Sequence, residues 1–241
     1  MSRLNTIVDL IVSKERYVFV FLLIVNLPLI IFTWDTGWWG DDWWMFNMYF
    51  TKLSFSPFPR AVMDLLEPKS DGHFTPVYYL FNMLIYKVYP SPQFLHFVIV
   101  LCHIGTAYVV FIIIKSTHED GRLALLSGVL FSMSYCVCFK ALAWNTFHSH
   151  VTNTFTGVVA LYYALQYLGH KRRLHLFYIF LFVLLTLLNY ESGFVFPVII
   201  GIFALFELLK KRISIQTLLG LVLVMMVAIG IYGFGTFCFM G

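Results

Sequence analysis

Three carboxylates stand in one short stretch, WDTGWWGDDWW from Trp34 to Trp44, among tryptophans and glycines. Tryptophan favours the membrane–water boundary, where its ring stays apolar and its N–H finds a polar partner, so these acids are expected beside lipid. A carboxylate pair held there either caps a helix or acts on a lipid-borne substrate. Asp41 and Asp42 are the catalytic candidates. On one helix, adjacent side chains diverge by about 100°, so the two acids share a ligand only if a helix starts between them. Farther along, His73, Lys140, Trp144 and Glu191 are candidate substrate-binding residues, and His148-Ser-His150 is a candidate metal pair. In an extended segment both imidazoles of such a pair would face one side and could hold a divalent metal. Each has a plainer role open to it. His73 can be a loop histidine, Lys140 can snorkel from the end of a span, and His148 and His150 can be polar residues at the membrane edge. Glu191 can cap the helix next to it.

The elements that must position these residues are apolar. The chain of 241 residues is 60% hydrophobic and 12% charged, with a mean hydropathy of +0.83, which excludes an ordinary soluble domain and predicts an integral membrane protein. Cys102, Cys136, Cys138 and Cys238 lie in apolar runs without zinc or disulfide spacing. The net charge of +4 comes mostly from short basic clusters between apolar spans, so no nucleic-acid partner is expected.

Residues 1–16 place Leu4, Ile7, Val8, Ile11 and Val12 on one helical face, as in an amphipathic helix lying on the cytoplasmic membrane surface. Apolar spans are expected at about 17–33, 94–114, 123–144, 154–168, 176–188, 194–208 and 218–239. Residues 34–91 form an external loop with juxtamembrane helices. One of these opens at Thr75-Pro76 and is short for a full crossing. Eleven of the sixteen Lys and Arg residues then lie on one side, with the N-terminus. The positive-inside rule makes that side cytoplasmic and the first long loop non-cytoplasmic. The expected fold is all-α: one polytopic domain over 1–241 with seven transmembrane helices. This topology brings the candidates, with Lys87, to the non-cytoplasmic end, where several ionisable groups suggest a lined cavity.

The order of features resembles the GT-C membrane glycosyltransferases. The carrying residues are Gly40-Asp41-Asp42-Trp43, His73-Phe-Thr-Pro76-Val-Tyr-Tyr-Leu80, Tyr89-Pro90-Ser91, and Asn189-Tyr-Glu-Ser-Gly193 with Pro197 shortly after. They are similar to the protein O-mannosyltransferase and aminoarabinose-transferase branch, with its DDW and H-x-x-P motifs. The resemblance implies a polyprenyl-phosphate sugar donor, and an acid in the first external loop that activates the acceptor or positions a metal. That role falls on Asp41 or Asp42. A carboxylate can accept the acceptor's proton as the glycosidic bond forms, while Lys140 or a metal neutralises the departing phosphate.

Family members continue beyond a shared seven-span module, and their substrates bind between the two parts. A partner membrane protein is therefore expected to complete the cleft here. The rival expectation is a non-catalytic subunit of a larger membrane complex. A small transporter is disfavoured because the centres of the expected spans hold almost no charge.

Overall fold

The computed structural model describes residues 3–35, 74–134 and 148–240, with Asn47, Thr51, Pro57, Pro59 and Arg60. Every regular element among the described residues is helical. The chain divides into two compact units, 1–43 with 90–151 and 44–89 with 152–241.

The first unit begins with α1 (Arg3–Ser13), α2 (Glu15–Val25) and α3 (Leu27–Asp35). The helix expected at the N-terminus is present as α1, with Val8, Ile11 and Val12 half-buried and Ile7 and Leu10 exposed. The expected first span is broken. Pro28 lacks the N–H that would bond the Ile24 carbonyl, and the Asn26 amide bonds the Leu22 carbonyl at 2.7 Å, so α2 and α3 meet at 47°.

The unit continues with α5 (Pro92–His118) and α6 (Gly121–Met133). Ser91 Oγ accepts from the Phe94 N–H at 3.2 Å, with Pro92 in the first turn of α5. Asp120 caps α6 through the N–H groups of Arg122 (2.9 Å) and Leu123 (3.1 Å). Helices α5 and α6 approach closely at Gly128. A Cβ there would lie 3.1 Å from the Ala107 carbonyl oxygen and 3.3 Å from Phe111 Cβ. Leu95, Ile99, Ile104 and Phe111 fill this core. Outside it, Arg122 ties α1 to α6 through a forked ion pair with Asp9, its Nη2 lying 2.8 Å and 2.9 Å from the two carboxylate oxygens.

The second unit contains α4 (Pro76–Val88), most of α7 (His148–His170), α8 (Arg173–Asn189), a 3₁₀ turn (Glu191–Phe194), α9 (Val195–Leu209) and α10 (Ile215–Met240). Ala160, Ala164, Ile179, Val183, Leu187, Ile200, Ala204, Leu221 and Ala228 form the centre of its core. Helix α4 opens at Pro76 as expected and is 13 residues long. Tyr78, Tyr79, Asn82 and Tyr86 share its buried face.

Asn82 is fully buried, and among the described residues neither atom of its amide has a hydrogen-bond partner. Such a group keeps its desolvation cost without repayment. Asn82→Leu is therefore expected to stabilise the protein by about 1–3 kcal/mol. Thermal unfolding in detergent checks this, and a lower midpoint for the variant would show that the amide is satisfied in solution.

Among the described residues three helices are long and apolar enough to cross a membrane: Pro92–His118, Glu191–Leu209 (the turn with α9) and Ile215–Cys238. The bent α2–α3 pair makes a fourth. This is fewer than the seven expected from sequence. Helices α6 and α8 are apolar but only 13 and 17 residues long, and the rest of the expected 123–144 span lies outside the described residues. Helix α7 has the length, at 23 residues, but opens on the polar run His148-Ser-His-Val-Thr-Asn153.

Candidate functional site

Asp41, Asp42, His73, Lys140 and Trp144 lie outside the described residues. Glu191 belongs to the second unit, and His148 and His150 to the first.

Glu191 opens the 3₁₀ turn between α8 and α9 and is half-buried, beside an exposed Ser192. The turn is held from below by buried amides and hydroxyls. In the amide orientation that satisfies both ends of Asn153, its Nδ2 donates to the Thr186 carbonyl at 3.2 Å. Its Oδ1 then accepts from Ser192 Oγ at 3.0 Å and from the Gly193 N–H at 3.1 Å. One turn along, Thr186 Oγ1 lies 2.8 Å from Thr156 Oγ1. Above it, Asn189 Nδ2 donates to Thr152 Oγ1 at 2.6 Å. Thr152, Asn153 and Thr156 face Thr186, Asn189 and the turn, so α7 and α8 are joined by a polar ladder at the end where Glu191 emerges. In an apolar bundle such side-chain bonds between helices fix register. Gly193 is required by this geometry: a Cβ there would lie 2.8 Å from both the Thr186 carbonyl oxygen and Thr186 Cγ2.

Sequence reasoning named Glu191 but missed its supports. Their signal was present as spacing: Thr152 and Thr156 are four apart, Asn153 and Thr156 three apart, and Thr186 and Asn189 three apart, each set on one helical face.

The expected loop at 145–153 is helical from His148 onward. The HxH pair therefore sits on a helix, where residues two apart point about 200° away from each other. The extended backbone needed for both rings to hold one ion is absent. His148 instead stands edge-on to His96 of α5, with ring centroids 5.4 Å apart, and both rings are fully buried. Burial holds the His150 imidazole below the usual histidine range, favouring its neutral form. Among the described residues no three His, Cys, Asp or Glu side chains come together as a metal site.

The first unit holds two further histidines that sequence reasoning did not select as site residues. His96 Nδ1 lies 3.1 Å from the Thr33 carbonyl oxygen, and His103 Nε2 lies 3.0 Å from that of Ser132. A carbonyl can only accept, so these bonds place the proton on Nδ1 of His96 and on Nε2 of His103. Both carbonyls lie in the last turns of their helices, α3 and α6, where intrahelical donors run out. These histidines serve as C-terminal caps between packed helices.

No protein-family model, no curated protein and no solved structure matches this chain.

Proposed function

We propose that the chain is a seven-span GT-C-like module handling a polyprenyl-phosphate-linked sugar at the non-cytoplasmic membrane face. In this reading Asp41 or Asp42 takes the acceptor's proton, and His73, Lys140, Trp144 and Glu191 contact the sugar and phosphate. The observation that carries it is the braced turn at Glu191. A carboxylate at a helix junction, backed by buried hydrogen bonds, is preorganised to accept hydroxyl protons from a polar headgroup. The charge of the turns supports the orientation. Lys171-Arg172-Arg173 separates α7 from α8, and Lys210-Lys211-Arg212 separates α9 from α10, whereas the α8–α9 turn holds Glu191 and neither Lys nor Arg. The positive-inside rule then puts Glu191 on the outer face.

A second reading, a non-catalytic subunit of a membrane complex, is favoured by the faces of α9 and α10. Ile202, Phe206, Leu219, Leu223, Met226 and Phe234 are all exposed. Lipid or a partner helix would cover them equally well.

One experiment separates the two: purification from the native membrane in mild detergent, with mass spectrometry of every lipid and polypeptide that accompanies the chain. A polyprenyl-phosphate sugar is expected. A stoichiometric complex of unrelated function without such a lipid would overturn the glycosyl-transfer reading and favour the subunit.

A further inference from the structure

At the junction of α1 and α2, Lys14 Nζ stands 5.5 Å from the centroid of the Tyr17 ring, and Arg16 Cζ stands 5.2 Å from the same centroid. Two cations thus converge on one aromatic ring. The break between the helices produces this arrangement, because Lys14 is extended (φ −134°, ψ 124°) and projects from between α1 and α2. The neighbouring acids do not neutralise them. Asp9 is taken by Arg122 at 2.8 Å, and Glu15 is turned to Lys115 at 3.7 Å. Lys14 and Arg16 form no ion pair among the described residues, and both are exposed. Tyr17 fixes their depth, since it is half-buried at the start of the apolar α2–α3 span. A tyrosine there sits at headgroup level.

We propose that Lys14, Arg16 and Tyr17 form a binding site for the phosphate of an anionic phospholipid headgroup. Each cation stands within 6 Å of the ring centroid and keeps N–H donors for phosphate oxygens. The lipid tails would lie along the exposed Val20 and Ile24 of α2. The site depends on membrane insertion of α2 and is independent of the sugar-transfer reading.

The test uses the full chain in mild detergent with equimolar phosphatidylglycerol and phosphatidylcholine, and native mass spectrometry to count retained lipids. Wild type is expected to prefer phosphatidylglycerol. The K14Q/R16Q double variant should lose about thirty-fold of that preference, the effect of removing two cations at a membrane surface. The charge-preserving K14R/R16K variant should keep it, as should Tyr17→Phe, which retains the ring. Equal retention of the two lipids by wild type, or an unchanged preference in K14Q/R16Q, would overturn the proposal. Wild type alone provides a second readout: its preference should fall as salt rises, and a salt-independent preference would count against a charge-based site. Displacement by inorganic phosphate at the concentration of the lipid would assign the site to a soluble anion and overturn the lipid reading.

Discussion

Membranes carrying the Asp41→Asn, Asp42→Asn double variant are expected to transfer sugar about 10²- to 10⁴-fold more slowly than wild type, the usual worth of a positioned general base. Asparagine is chosen because it distinguishes the two roles open to these acids. It caps a helix about as well as aspartate, so a pure capping role would survive the change. It cannot take a proton from an acceptor at neutral pH, so a catalytic role would not. The single variants identify which acid acts. Yield and helical content after purification should match wild type, which separates lost chemistry from lost folding. Full transfer by both single variants and the double would remove these acids from the mechanism.

Gly193→Ala should lower stability by about 1–3 kcal/mol, the range for overpacking a filled core. Its new methyl group would meet the Thr186 carbonyl oxygen at 2.8 Å and, in the amide orientation given above, Asn153 Nδ2 at 3.0 Å, well inside ordinary contact. The carbonyl belongs to the last turn of α8 and can retreat only if that turn moves. Asn153→Leu tests the same brace from the other side, leaving the Thr186 carbonyl, Ser192 hydroxyl and Gly193 N–H without the amide they share. The Thr186 carbonyl and the Gly193 N–H keep their backbone bonds to Tyr190, at 3.2 Å and 2.9 Å, and Ser192 is exposed, so each lost bond costs about 0.5–1.5 kcal/mol. Because both changes disturb one network, their combined effect should fall short of the sum in a double-variant cycle. A wild-type unfolding midpoint for Gly193→Ala would mean that the turn yields freely and that Glu191 is not held in place.

Local chemistry was legible in the sequence where it acts locally. Pro76 opens α4, as Thr75-Pro76 predicted, and basic clusters mark the turns before α8 and α10. Long-range chemistry was not. The run His148 to Asn153 looked like loop because its residues are polar. In the fold Thr152 and Asn153 find partners on α8 and the turn after it, and Thr156 returns its own proton to α7 carbonyls. The polar groups that argued against a helix are the ones that dock it. The break at Asn26 was missed because the apolar run continues through Pro28, and hydropathy does not register a missing N–H. His96 and His103, seven apart on α5, signalled one face but not the carbonyls they would meet. Of the candidate site, only Glu191 and the two histidines of the HxH pair fall among the described residues.

The bend between α2 and α3 also bears on bilayer thickness. Residues 15–35, wound as one straight helix, would reach about 31 Å, close to the hydrocarbon depth of an ordinary bilayer. With α2 upright and α3 turned away by 47°, the same residues rise only about 27 Å. A segment shortened in this way fits a thinner bilayer, or draws the surrounding lipid inward until the two depths agree. The break at Asn26 thus gives this segment a shorter reach than its residue count implies.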